Sequence, residues 1–236
     1  MNRFLERLAR YLPIVGLVAS IGAPAIVAEQ NPMNLVFDGD SIAVGLGAPP
    51  GHGLAEQTVA CLGLAVSPRV VGRSGSPISE RLSLYDLNIA PLVKKGAHNV
   101  IVFHAGDNDI ALGSTSPAAY AALVDYVRRA HAQGWKIVVS TELQRFDFPE
   151  ERRAELGALN ELIRTNAAGA DVVSDYAADP ILGGPQNRKN PIYYAPDGIH
   201  PVANGYAILA RMTASAVARA LGDAAFPSCD GSEPSR

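Results

Sequence analysis

Five short apolar runs, at 33–37, 69–71, 99–103, 136–140 and 171–173, divide the chain, and longer stretches with apolar residues at helical spacing separate them. The runs are rich in Val, Ile and Phe and lack polar alternation, the pattern of strands covered on both faces. The intervening stretches, 54–62, 78–95, 117–133, 149–168 and a last one at 202–221, carry helix punctuation. Pro117 and Pro149 open two of them, and Gly134, Gly169 and Gly222 follow three. Strands alternating with helices imply a parallel sheet with helices on both sides. Right-handed crossovers then bring the C-terminal ends of all strands to one edge, where such sheets bind ligands. At 236 residues, 48% hydrophobic and 18% charged, the chain suits one sizeable domain.

That edge collects the residues with chemistry. Ser41, in Gly39-Asp40-Ser41, follows the first run, where a helix is expected to begin. Its hydroxyl would be exposed there and its N–H directed into a pocket. Gly75, in Ser74-Gly75-Ser76, follows the second run and leaves its N–H open to close approach. Asn108, in Gly106-Asp107-Asn108-Asp109, follows the third. Asp197 and His200, three residues apart, follow the last. A serine, a histidine and an orienting acid are the parts of a nucleophilic hydrolase. Singly, each has a plainer reading: Asp and Ser are preferred helix caps, Asn is a common turn residue, and short motifs recur by chance. Their shared position after successive strands is what distinguishes them.

In these motifs the chain resembles the SGNH hydrolase (GDSL-type esterase) superfamily, named for a serine, a glycine, an asparagine and a histidine. The matching residues are Ser41, Gly75, Asn108 and His200, the last in Asp197-Gly198-Ile199-His200-Pro201, and the resemblance spans about residues 33–221. Ile42 stands where the family most often has Leu, a conservative change. The resemblance implies a three-layer α/β/α sandwich with a five-stranded parallel sheet, flavodoxin-like, acting without metal or other cofactor. It further implies a triad of Ser41, His200 and Asp197, with an oxyanion hole of Ser41, Gly75 and Asn108.

Other polar residues invite two readings each. His104, at the end of the third strand, either lines the pocket or is a hydrogen-bonded core histidine. His52 lies in a loop of the active edge, and Tyr193 and Tyr194 close a long loop, 175–196, that also holds Gln186, Asn187, Arg188 and Lys189. His52, Tyr193 and Tyr194 are candidate substrate contacts. Amides, cations and tyrosines suit a sugar or an anionic polymer better than a fatty chain, whereas a solvated loop is the plainer reading of Arg188 and Lys189. The expected activity is therefore hydrolysis of a short-chain ester, O-acetyl among them. A thioesterase, a lysophospholipase or an acyltransferase would use the same fold, and a carbohydrate-binding module without turnover is the rival of another class.

Arg3, Arg7 and Arg10 precede an apolar segment ending at Ala28, interrupted by Pro13, Gly16, Gly22 and Pro24. This is the layout of a secretory signal peptide, expected over 1–28 and followed by a catalytic domain at 29–222 and a tail at 223–236. The expected location is outside the cytoplasm, periplasmic or extracellular, with no stable membrane insertion after cleavage. Export makes Cys61 and Cys229 a candidate disulfide, since the helices ahead of them are expected on one face of the sheet; two thiols are the alternative. A net charge of −3 with no basic run excludes a nucleic-acid partner. Oligomeric state leaves no mark in the sequence.

Overall fold

A computed structural model describes residues 32–222. The expected signal segment, the tail and Cys229 lie outside the described residues, and with Cys229 the expected disulfide. Five parallel strands form one sheet: β1 (Met33–Gly39), β2 (Arg69–Val70), β3 (His98–His104), β4 (Lys136–Ser140) and β5 (Val172–Ser174), in the order β2-β1-β3-β4-β5. Helices α1 (Leu54–Cys61) to α7 (Ala203–Ala220) cover both faces. Among the described residues no helix is long and apolar enough to cross a membrane.

The apolar runs alternate between two cores, as the period of a strand requires. Leu35, Phe37, Val100, Val102 and Val138 join α1 and α7 on one face. Val36, Ile101, Phe103, Ile137 and Val139 join α5 (Ser116–Ala132) and α6 (Glu150–Thr165) on the other. Register aligns the strand ends: Gly39 lies beside His104, and Ser140 beside Ser174. The residues that follow β1, β3, β4 and β5 therefore emerge at one level, which is where the site is built.

Three expectations change. The stretch 78–95 is not one helix but α2 (Ile78–Ser83), α3 (Tyr85–Asn88) and a 3-10 turn at Ala90–Leu92. Leu84 leaves helical geometry, and Pro91 has no N–H to continue a ladder. The strand β2 is only two residues long and both are exposed, because it is an edge strand and not a central one. Finally, Ser41 does not open a helix. It starts consecutive turns through Gly47, held by the bond from the Leu46 N–H to the Ser41 carbonyl (2.9 Å), and α1 begins only at Leu54.

Candidate active site

The turn carrying Ser41 is set by its neighbours. Gly39 has φ +137°, and a Cβ there would lie 1.8 Å from the His104 carbonyl oxygen, so no other residue fits beside β3. The next N–H, of Asp40, donates to that same carbonyl at 3.0 Å. The Asp40 carboxyl accepts the Ile42 N–H at 2.9 Å. With the strand end and the turn both fixed, the Ser41 side chain has one direction to take.

It takes the direction of His200. The Ser41 hydroxyl lies 2.9 Å from His200 Nε2, and His200 Nδ1 lies 2.6 Å from Asp197 Oδ2. The other carboxylate oxygen of Asp197 accepts the N–H groups of Ile199 (2.9 Å) and His200 (3.1 Å). Partial burial works against the charge on Asp197, but the bonds from His200 and these two N–H groups outweigh it and hold the carboxyl below its usual value. The turn that carries Ser41 is braced on its other side, where the Tyr206 hydroxyl of α7 (Ala203–Ala220) donates to the Leu46 carbonyl at 2.7 Å.

Asn108 lies in the first turn of α4 (Asp107–Ala111), and its Nδ2 is buried and, among the described residues, without a hydrogen-bond partner. Gly75 is exposed, with φ +80° and nothing within 4 Å of where a Cβ would stand. Glycine is favoured there by backbone conformation and not by crowding from the protein. The loop holding Gly75 is tied to α4 through Asp109, whose carboxyl accepts the Ile78 N–H at 2.8 Å.

The three candidate substrate contacts part company. His52 is exposed and, among the described residues, its ring bonds none of Ser41, Asp197 or His200. Tyr193 is half-buried. Tyr194 is 1% exposed, with its hydroxyl donating to the Leu182 carbonyl at 2.9 Å, so it supports the loop from inside and does not face a substrate. Arg188 also departs from the solvated reading: it is 5% exposed, while Lys189 is exposed.

Beneath Ser41 lies a cluster that composition does not announce. Asp40, Asp107 and Glu142 are all buried, and His104 is fully so. His104 Nδ1 is 2.6 Å from Ser140 Oγ, and its Nε2 is 3.3 Å from Glu142. It is thus a core histidine, and burial, opposed only in part by Asp107, lowers its pKa to about 4. Burial, and then the charges of Asp40 and Asp107, raise Glu142 well above the usual carboxylate range; burial followed by Asp107 does the same to Asp40. Arg145 supplies a cation to Asp107 at 2.7 Å. Asp40, His104 and Glu142 each offer an atom within 4.8 Å of the others, a grouping that could hold a cation. Protons kept by the two carboxyls and absent from one nitrogen of His104 leave the same three groups neutral without one.

A measurable consequence follows from Glu142. Its folded pKa lies above the unfolded one, so the folded state binds more protons between the two values. Its stabilising contribution is complete below the unfolded pKa and is lost as pH rises through the folded one. Glu142→Gln keeps the shape and removes the proton. The variant is expected to match wild type near pH 4.5 and to gain on it as pH rises, by up to about 1.4 kcal/mol per pH unit within the window. Urea unfolding between pH 4.5 and 8.5 measures this, and parallel profiles would disprove it.

A cavity of about 710 Å³ opens at the opposite edge, lined by Asn34, Ser67, Pro68, Arg69 and Lys94 among others. It contains no serine–histidine pair, and the chemistry stays with Ser41.

No curated protein matches the sequence. Among solved structures, a lipolytic protein of the G-D-S-L family from Veillonella parvula superposes with a TM-score of 0.61 at 23% identity, over 78% of this chain and 97% of that one. TesA gives 0.63 at 19% identity, over 79% and 98%. A mutant of Axe2, an acetyl-xylooligosaccharide esterase from Geobacillus Stearmophilus, gives 0.62 at 18%, over 84% and 99%. These likenesses establish the fold. Residues 37–208 match the GDSL-like Lipase/Acylhydrolase family, and they span β1 to α7 and include Ser41, Gly75, Asn108, Asp197 and His200. The chain belongs to the GDSL-like lipase/acylhydrolase family and is a hydrolase of that type.

Proposed function

We propose that the protein is an exported serine esterase that removes a short acyl group, O-acetyl in the first instance, from a carbohydrate ester. The observation that carries the reading is the unbroken line of hydrogen bonds from Asp197 through His200 to Ser41, at 2.6 and 2.9 Å. In this mechanism Asp197 accepts a hydrogen bond from the Nδ1–H of His200, which leaves Nε2 unprotonated as the base. Nε2 takes the Ser41 proton as Oγ attacks the ester carbonyl, then returns it to the leaving alkoxide. The N–H groups of Ser41 and Gly75 and the Asn108 amide would receive the negative oxygen. A buried Nδ2 without a partner is the state expected of a donor kept for that purpose. Water then attacks the acyl-serine, with His200 again as base.

The polar character of the 175–196 loop and the fold shared with an acetyl-xylooligosaccharide esterase support a short acyl group on a sugar. Export rests on the N-terminal arginines and the apolar segment that follows them. A series of p-nitrophenyl esters from acetate to decanoate tests the acyl preference. We expect kcat/KM to be highest at two to four carbons. An apolar tunnel would instead gain about 0.8 kcal/mol for each added CH₂, roughly fourfold per carbon. A steady rise of that size would overturn the short-acyl reading in favour of a lipid or thioester substrate.

A further inference from the structure

Arg188 and Arg145 lie in adjoining loops and are treated differently by the protein. All three guanidinium nitrogens of Arg145 are engaged. Nη1 donates to Asp107 at 2.7 Å, and Nε and Nη2 donate to the two oxygens of Asp147 at 2.8 and 2.7 Å. Arg188 is more deeply buried, at 5% exposure, yet only its Nη1 makes a bond, a long one of 3.4 Å to the Gly198 carbonyl. Its Nε and Nη2 are buried and, among the described residues, have no hydrogen-bond partner. The guanidinium carbon lies over the Tyr194 ring at 4.5 Å and the Phe146 ring at 5.2 Å, so the flat faces are covered while the Nε/Nη2 edge is unmatched.

A buried cation is costly unless something pairs with it. Asp107 and Asp147 accept hydrogen bonds from Arg145, and Asp147 acts on Arg188 only through its charge. The unmatched pair of nitrogens is also a particular one: Nε and Nη2 form a side of the fork that fits the two oxygens of a carboxylate. Its place ties it to the reaction. Gly198, which Nη1 holds, lies between Asp197 and His200, and Asp107, which Arg145 holds, precedes Asn108.

We propose that the Nε/Nη2 edge of Arg188 receives a carboxylate carried by the sugar portion of the substrate, so that the cleft selects esters of acidic carbohydrates. The inference rests on the ester-hydrolase reading of Ser41 and His200 and adds the charge of what is cleaved. Aromatic faces on the guanidinium keep the fork in plane, and exclusion of water strengthens the pair once formed. Arg145 nearby adds to the positive potential, while Asp147 offsets part of it.

The test compares acetate release from acetylated methyl glucuronoside and from the corresponding glucuronamide, which has the same shape without the charge. In wild type, kcat/KM is expected to favour the glucuronoside by about 30-fold, as for a two-pronged charged hydrogen bond. In Arg188→Gln the ratio should fall to about one, and Arg188→Lys, with charge but no fork, should lie between. A purely structural Arg188 would lower both rates together and leave the ratio unchanged, which overturns the proposal, as does a ratio of one in wild type. An acetylated neutral sugar and an alkyl hemisuccinate complete the series. Selectivity for the hemisuccinate alone would move the carboxylate to the acyl side and refute its placement on the sugar.

If Arg188→Gln does not fold, the glucuronamide comparison in wild type decides by itself. Calorimetric binding of glucuronate to wild type separates this proposal from the esterase reading. Binding without hydrolysis of any ester keeps the anion site and refutes the esterase. Hydrolysis of p-nitrophenyl acetate with no glucuronate binding and a ratio of one does the reverse.

Discussion

Ser41→Ala is expected to lower kcat on p-nitrophenyl acetate by about 10⁶-fold, to the level left by binding and the oxyanion donors. The change is clean in structural terms. Among the described residues the hydroxyl bonds only His200, while the turn is held by backbone bonds and by Asp40, so thermal unfolding should shift little. His200→Ala should cost about as much, and the double variant no more than either alone, because serine and base act as one unit. Asn108→Ala should cost less, about 10²–10³-fold in kcat, since the two N–H groups of the proposed oxyanion hole remain. Parallel kinetics on the four folded variants decide the matter. Retention of even a hundredth of wild-type activity by Ser41→Ala would show that another group attacks the ester.

The parts of this site that the sequence reveals are those built from local motifs at strand ends. Ser41, Gly75 and Asn108 each stand just beyond a run of Val, Ile and Phe, and Asp197 and His200 are close enough in the chain to pair without knowledge of the fold. The parts it hides depend on contacts across the sheet. Glu142 follows β4 as directly as Ser41 follows β1, and that position was the available signal. A lone glutamate after a strand nevertheless reads as solvated until β3 brings His104 beside it. Arg188 reads as surface for the same reason, because its burial is made by Tyr194 and by Phe146 of a loop about forty residues away in the chain.

Secondary structure was lost where punctuation was weak. The stretch 78–95 keeps helical spacing through Leu84, where the backbone alone interrupts it, and Pro91 is its one visible break. The residues after Ser41 look like a helix start because Asp and Ser are caps, but Gly45, Gly47 and the Pro49-Pro50 pair prevent one from growing. The outcome favours the site, since the turn brings Gly47 so close to the His200 loop that a Cβ there would lie 2.6 Å from the Pro201 carbonyl.

The largest loss of stability is expected at Arg81, which is 1% exposed and never touches the proposed chemistry. Its Nε donates to Asp38 Oδ1 at 2.8 Å and its Nη2 to the Val71 carbonyl at 2.9 Å. Asp38 is fully buried and also accepts the Tyr126 hydroxyl at 2.6 Å and the Gly39 N–H at 2.8 Å. Burial raises the Asp38 pKa, and Arg81 is the strongest of the groups that pull it back. Arg81→Met leaves the carboxyl buried without its cation and should cost about 3–5 kcal/mol, a large share of the 5–15 typical of a domain. The loss should grow with pH. Without Arg81 the folded pKa of Asp38 climbs further above its unfolded value, so stability present at low pH falls away as pH rises through that widened window. Asp38→Leu in the Arg81→Met background removes the stranded charge, and the double variant should regain part of what the single one loses. Urea unfolding of the set at pH 5 and pH 8 reads both effects, and simple additivity would refute the pairing. Because the same contacts seat Gly39 and the chain leading to Gly75, Arg81→Met should also lower kcat more than KM changes, through the turn that aims Ser41.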